Sequence, residues 1–167
     1  MRLKQLLCEL ADTTYNNDGE FDSSTLNQYE KLGSGSTRMV YKIEHDGKTY
    51  AVKFASWRKA NVYNRREAHA WNTFRETTKK YLAQVHAIST CGRVLAMELV
   101  STTLYDAMRG DEAGQWNRQL QKQLEKGEAF SENQACGLVS DNASFNIGVR
   151  ANGDIVWIDY AQPIAKT

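Results

Sequence analysis

Residues 29–55 read YEKLGSGSTRMVYKIEHDGKTYAVKFA, and this stretch decides the fold class of the chain. Its β-branched and aromatic residues alternate in part with polar residues, which is typical of strands that are buried on one face. The dipeptide Asp46-Gly47 is typical of a two-residue hairpin turn. The stretch therefore predicts at least two antiparallel strands, and it is long enough for three.

The segments on either side of this stretch follow other patterns. Residues 1–12 predict a short amphipathic helix, and the polar residues 12–27 predict an exposed connection. Residues 58–80 predict a long helix, whose apolar face carries Tyr63, Ala70, Trp71 and Phe74 and also Glu67. The remaining sequence predicts strands within residues 83–90 and 92–100, helices at residues 104–110 and 115–126, and a hairpin from NIGVR and DIVWID around Asn152-Gly153.

The composition limits the class of protein. The chain has 167 residues and a formal net charge of +1, which gives no reason to expect nucleic acid or an anionic membrane as a partner. No apolar run approaches the roughly 18 residues of a membrane span, and the start MRLKQLLCEL lacks the features of a secretory signal. Cys8, Cys91 and Cys136 are widely spaced, so we expect reduced thiols and neither disulfides nor a zinc site. A soluble, cytoplasmic protein is the expectation.

Glu67 falls on the apolar face of the predicted helix, where a buried carboxylate needs a cation opposite it. Lys53, in the strand sequence YAVKF, is the candidate because its neighbours Val52 and Phe54 face the other side of the sheet. Its ammonium group then points the same way as Ala51. The alternative is an ordinary exposed glutamate.

The sequence KLGSGSTRMV, residues 31–40, places Gly33 and Gly35 between two predicted strands. Glycines let backbone N–H groups approach a ligand closely, which suits a polyphosphate. A plain hairpin turn is the alternative.

In chain order, these features resemble the protein-kinase-like fold from about residue 31 to residue 161. The resemblance rests on GSGSTRMV, on the lysine of AVKF, on the inward glutamate, on MELV, and on the Asp, Asn and Asp of SDNASFNIGVRANGDIVWIDYA. It implies an α+β, two-lobed fold. An N-terminal helix and connection (residues 1–28) precede an antiparallel-sheet N-lobe with one long helix (29–98) and an abbreviated helical C-lobe with a terminal β-hairpin (99–167).

The resemblance also implies a role for each matching residue. Asp141 orients or deprotonates the attacking hydroxyl, and Lys53, paired with Glu67, contacts the nucleotide phosphates. Asn146 and Asp159 hold a magnesium ion, Mg²⁺, that bridges the phosphates of ATP. The implied nucleotide-binding residues are Gly33, Gly35, Arg38, Val40, Ala51, Lys53, Met97 as gatekeeper, and Glu98 and Val100 through their backbone groups.

The sequence departs from the family pattern at several positions. Arg38 stands where the loop has its third glycine, and Ala143 stands where a phosphate-contacting lysine is common. Val139-Ser140 replace His-Arg, and DFG has become Asp159-Tyr160-Ala161. Few residues follow, so we expect no activation segment and no lower helices for presenting peptide substrates. This outline is distantly similar to the compact kinases of T7-like phages, which implies the host cytoplasm as location.

Three functions fit these features. The first is a minimal kinase that transfers the γ-phosphoryl group of ATP to a Ser or Thr hydroxyl, in itself or in a protein partner, with Arg38 reaching the γ-phosphate. The second is a pseudokinase that acts as a protein-binding module. The third is a small-molecule phosphotransferase, which suits Asp159-Tyr160-Ala161.

Apolar side chains of the second lobe exceed what the remaining chain can cover, which predicts a homodimer or a docked protein partner. The alternative is that residues 1–28 fold over this patch, with Leu3, Leu6, Leu7 and Leu10 as a lid. The residues of the patch are Trp116, Leu120, Leu124, Phe130, Leu138 and Trp157.

Overall fold

The computed structural model describes residues 1–107, 138–139, 146–160 and 162–163. These residues form an α+β structure with a five-stranded antiparallel sheet. The chain divides into two compact units, of which the first comprises Met1–His69 and Gln84–Leu99 and the second Ala70–Ala83 and Val100–Thr167. The first 28 residues, expected to be a separate segment, belong to the unit that contains this sheet.

The sheet of the first unit has the strand order β1-β2-β3-β5-β4. Three strands lie within residues 29–55, as predicted. The elements of this unit are α1 (Leu3–Thr14), β1 (Glu30–Ser34), β2 (Arg38–His45), β3 (Lys48–Ala55), the beginning of α2 (Asn61–Thr73), β4 (Val85–Ile88) and β5 (Val94–Glu98).

The β2–β3 hairpin sets the register of the sheet. Its turn residues Asp46 and Gly47 have φ angles of 50° and 72°, the left-handed pair that a tight hairpin turn requires. Pairing then runs without interruption from His45 opposite Lys48 to Arg38 opposite Ala55. Side chains alternate between the two faces of the sheet, so this register decides which residues share a face.

One face of the sheet packs against α1 and forms the core of the first unit. Val52 and Phe54 lie on this face, as expected from the sequence, and they belong to one buried cluster with Leu7 and Leu10 of α1. The alternative in which Leu7 and Leu10 serve as a lid for the second lobe is therefore wrong. The cluster consists of Leu7, Leu10, Ala11, Tyr15, Leu26, Tyr41, Ile43, Tyr50, Val52, Phe54, Val94 and Ala96.

The prediction of an exposed connection over residues 12–27 is wrong for Tyr15 and Leu26, which are both buried. The hydroxyl of Tyr15 donates to the carbonyl of Ala55 at 2.8 Å, and its ring packs 5.5 Å from that of Phe21. Burial raises the pKa of Tyr15 well above its usual range, although the charge of Arg93 acts in the opposite direction, so the phenol keeps its proton.

The helix predicted over residues 58–80 is broken into three pieces, so that prediction is wrong in length. A short 3-10 helix, Arg58–Ala60, precedes α2, and α3 (Glu76–Lys79) follows it. Arg75 has an extended backbone, with ψ at 155°, and therefore interrupts the helical hydrogen bonds. Glu67 lies within α2, in the part of α2 that belongs to the first unit.

The second unit contains two small antiparallel sheets, of order β6-β8-β9 and β10-β7. The predicted hairpin is confirmed as β8 and β9, with Gly153 in its turn at φ 87°. The elements are α3, β6 (Thr102–Thr103), α4 (Leu104–Ala107), β7 (Leu138–Val139), β8 (Ile147–Val149), β9 (Ile155–Trp157) and β10 (Gln162–Pro163).

Trp157 is only 6% exposed, so it does not belong to the exposed apolar patch that the sequence predicts. Its backbone N–H donates to the carbonyl of Tyr81, and its own carbonyl accepts from the N–H of Ala83, so residues 81–83 lie directly beside β9. The helix predicted at residues 115–126 and the side chains of Trp116, Leu120, Leu124, Phe130 and Leu138 lie outside what the structure describes.

Two further expectations concern composition. Cys8 and Cys91 are free cysteines, as expected, and Cys136 lies outside the described residues. Within the described ranges, no helix has both the length and the apolar character needed to cross a membrane.

Candidate functional site

A buried ion cluster lies on the face of the sheet opposite the α1 core. Glu67 of α2 is fully buried, and Arg38 and Lys53 are 4% and 6% exposed. The Lys53 Nζ lies 2.9 Å from Glu67 Oε1 and 3.0 Å from Oε2, and the Arg38 Nη1 lies 2.6 Å from Oε2. The prediction that Lys53 meets Glu67 is confirmed, and the alternative of an exposed glutamate is wrong.

The register explains why these side chains meet. Lys53 on β3 lies opposite Val40 on β2, and Arg38 precedes Val40 by two residues, so all three share one face. Hydrogen bonds between ionised partners are strong, and a buried carboxylate that loses its partner costs about 3–5 kcal/mol. The cluster therefore fixes α2 against the two strands that carry its cations.

Arg38 makes a contact that the sequence reasoning missed. In addition to Glu67, its guanidinium lies 6.0 Å from the ring centroid of Tyr63, one helical turn earlier on α2. Arg38 thus joins β2 to two successive turns of the helix. A signal was present in the sequence, because the predicted Asp46-Gly47 turn pairs Val40 with Lys53, and the two-residue spacing from Val40 then puts Arg38 on the same face. Its expected contact with the γ-phosphate stays a prediction.

Asn64 is a second residue that the sequence reasoning missed. Its side chain is fully buried, and its Nδ2 donates to the carbonyl of Arg93 at 2.9 Å and to that of Lys53 at 3.4 Å. It lies three residues before Glu67, on the same side of α2. Asn64 therefore holds the helix to the backbone of the strand that carries Lys53.

The β1–β2 hairpin carries the two glycines of the candidate loop. The N–H of Gly35 donates to the carbonyl of Arg38 at 2.8 Å, so this N–H closes the turn. A Cβ at Gly33 would have no atom within 4 Å, and one at Gly35 would lie 3.9 Å from the Arg38 carbonyl oxygen. A Cβ at either position would not clash with the protein, so crowding does not explain why these residues are glycines. Their close approach to a ligand stays a prediction.

Met97 and Glu98 lie at the end of β5. Met97 is buried and lies opposite Ala51, on the face that carries Lys53. The N–H of Glu98 donates to the carbonyl of Gln84 at 2.8 Å, and its carboxylate accepts from the N–H of Gln84. The Glu98 N–H is bonded to Gln84, so the expected contact of the Glu98 backbone with a ligand is left to its carbonyl oxygen.

In the second unit, Val100 packs close to Gly148. A Cβ at Gly148 would lie 2.7 Å from both Cγ atoms of Val100 and from Cγ2 of Ile158. Gly148 is therefore required sterically, and the expected contact of the Val100 backbone with a ligand stays a prediction.

Asn146 and Asp159 lie at the same end of the β8–β9 hairpin. The carbonyl of Asn146 accepts from the N–H of Ile158, the residue before Asp159, at 2.9 Å. Carboxamide and carboxylate oxygens are ligands that Mg²⁺ accepts, together with water and phosphate oxygens, so the donor chemistry fits this ion. Asp141 lies outside the described residues. Among the residues that the structure describes, no group of three or more His, Cys, Asp or Glu side chains is arranged to hold a metal.

The fold and the site define an α+β protein with a buried Arg–Lys–Glu cluster between an antiparallel sheet and its helix. The chain matches no protein-family model and no curated protein.

Proposed function

We propose that the chain has a protein-kinase-like fold and is a minimal ATP-dependent kinase, which transfers the γ-phosphoryl group of ATP to a Ser or Thr hydroxyl in itself or in a protein partner. One observation carries the proposal. A buried lysine on β3 of the sheet pairs at 2.9 Å with a buried glutamate on the helix that follows. The resemblance of the sequence implies this pair, in this order and on these elements.

The chemistry assigned to each residue is electrostatic and positional. Glu67 holds the ammonium group of Lys53 in one place, so that its N–H bonds point to the phosphates of a bound nucleotide. Asp141 accepts or orients the proton of the attacking hydroxyl. Asn146 and Asp159 hold Mg²⁺, which supplies positive charge near the phosphates.

Nucleotide affinity tests the first step of this proposal. Titration calorimetry with ATP and Mg²⁺ is expected to show binding by the full chain, and Lys53→Ala is expected to weaken it about tenfold or more, equivalent to about 1.4 kcal/mol. Lys42→Ala is the matched control, because this exposed lysine lies opposite Ala51 and pairs with Glu30 at the surface. Equal affinities of the Lys53→Ala and Lys42→Ala variants for ATP would show that Lys53 does not contact the nucleotide. Circular dichroism at the titration temperature verifies that each variant is folded.

A pseudokinase is the second candidate, and a specific contact favours it. Arg38 replaces a loop glycine and binds Glu67, the carboxylate assigned to Lys53, and the N–H of Gly35 is engaged within the turn. Absence of phosphate transfer to any protein, whether or not the chain binds ATP, supports this candidate. Its activity would then be the binding of a protein partner.

A further inference from the structure

Two segments of the first unit carry opposite charge. The acidic loop, residues 16–22 (NNDGEFD), contains Asp18, Glu20 and Asp22 and neither Lys nor Arg. The basic segment, residues 57–66 (WRKANVYNRR), contains neither Asp nor Glu, and its cations are Arg58, Lys59, Arg65 and Arg66. All of these charged side chains are exposed except Arg66, which is half-buried. None of them forms an ion pair within the part of the chain that the structure describes.

Both segments lie next to Arg93, at the start of β5. The guanidinium of Arg93 packs over the ring of Tyr15 at 4.8 Å, and its Nη2 lies 2.8 Å from where a Cβ on Gly19 would be. On the other side, Nδ2 of Asn64 donates to the carbonyl of Arg93 at 2.9 Å. Arg65 donates to the carbonyl of Thr90 at 3.2 Å. The acidic loop and the basic segment are therefore neighbours on the same unit.

The basic segment also exposes apolar surface. Trp57 is 44% exposed and Val62 is 37% exposed, and both are among the large apolar side chains that the described ranges leave open to solvent. Aromatic side chains and arginines are enriched at protein interfaces, where they contribute most of the binding energy. The segment thus combines the charge and the apolar anchor that a protein contact uses.

We propose that the protein forms a two-fold homodimer through this face, in which the acidic loop of each copy meets the basic segment of the other. A two-fold axis brings two adjacent patches of opposite charge onto their complements in both directions, so the contact closes at two copies. Nucleic acid or an acidic partner would contact only the basic segment, and the neighbouring acidic loop would repel it. The residues of this surface are different from those of the second-lobe patch for which the sequence predicted association.

Sedimentation equilibrium of the full chain tests the dimer. The screening length falls from about 10 Å in 0.1 M salt to about 3 Å in 1 M salt, so the expected result is a dimer at the lower concentration and a monomer at the higher. Arg58→Glu with Lys59→Glu is expected to give monomers at low salt, and so is Asp18→Lys with Glu20→Lys. Lys31→Glu with Lys48→Glu changes two exposed lysines elsewhere on the unit and is expected to leave the dimer intact.

Mixing the two interface variants in equal amounts gives the decisive result. The basic segment of the first variant then carries two acids beside Arg65 and Arg66, and the loop of the second carries two lysines beside Asp22. Opposite charges again face each other at the exchanged positions of a mixed dimer, so the mixture is expected to form a dimer although each variant alone does not. A wild-type chain that stays monomeric at low salt overturns the proposal. So does association that grows beyond two copies, or a mixture that fails to restore the dimer while circular dichroism shows both variants folded.

Discussion

A fully buried carboxylate needs hydrogen-bond donors or cations opposite it, and Glu67 has two cations within 3.0 Å. The pairing with Lys53 could be predicted from sequence, because strand alternation and the helical position of Glu67 are local patterns. The contact of Arg38 could not be predicted with the same ease. An arginine is long enough to reach solvent, a ligand or a neighbouring helix, and only the packed structure selects among these.

Arg38→Ala tests how much this second cation contributes. The change removes a charged hydrogen bond from a buried oxygen of Glu67, so we expect the free energy of unfolding to fall by about 1.5–3 kcal/mol. Urea denaturation measures the loss. Lys42→Ala, which removes a surface ion pair, is expected to cost less than about 1 kcal/mol. Equal losses in the two variants would show that the Arg38 contact contributes nothing beyond a surface pair.

His86 predicts a dependence of stability on pH. Burial lowers the pKa of His86, with the nearby charge of Lys48 adding to the effect and that of Glu98 opposing it. The unfolded chain then binds a proton more readily than the folded one, so stability is full above the unfolded pKa of about 6.5 and declines as the pH falls below it. The melting temperature of His86→Gln is expected to fall less on acidification than that of wild type. Parallel declines in the two proteins would rule out His86 as a source.

At the scale of the elements, strands with tight turns were the most predictable. Asp46-Gly47 and Asn152-Gly153 marked hairpins that the structure contains. Helix length was not predictable, because Arg75 interrupts a continuous helical pattern. The burial of Tyr15 depends on the carbonyl of Ala55, 40 residues away in the chain, and no local pattern reports such a contact.

Gly148 provides a test of packing at the scale of an element. Gly148→Ala places a Cβ 2.7 Å from Val100 and Ile158, so we expect a loss of about 1–3 kcal/mol from overpacking. Thermal unfolding measures it. Gly33→Ala is the control, because no atom lies within 4 Å of the added carbon, and its stability is expected to stay within about 0.5 kcal/mol of wild type. A harmless Gly148→Ala would contradict the packing described for β8.

At the scale of the molecule, the chain forms two compact units, and the N-terminal residues belong to the core of the first. The sequence predicted a sheet-rich part followed by a part that ends in a hairpin, and both are present. The alternative that laid the first helix over the second-lobe patch was wrong, because an amphipathic pattern shows that one face is buried without showing which surface it packs against.

Removing residues 1–28 tests the role of this helix. Each buried leucine contributes roughly 1.5–3 kcal/mol, so loss of Leu7, Leu10 and Leu26 together costs about 4.5–9 kcal/mol, which is comparable to the whole stability of a typical domain, about 5–15 kcal/mol. We expect the shortened chain to lose its cooperative thermal transition and to bind a hydrophobic dye. An unchanged melting temperature would show that α1 is not part of the core.

Transfer of labelled phosphate from [γ-³²P]ATP with Mg²⁺ tests the proposed function most directly. The full chain, alone and with a mixture of cellular proteins, is expected to place label on Ser or Thr residues. Asp141→Asn keeps the shape of the side chain but removes the proton acceptor, so transfer is expected to fall by about 100-fold or more while ATP affinity changes little. Transfer that is absent from wild type, or unchanged in Asp141→Asn, would contradict the assignment of this chain as a kinase.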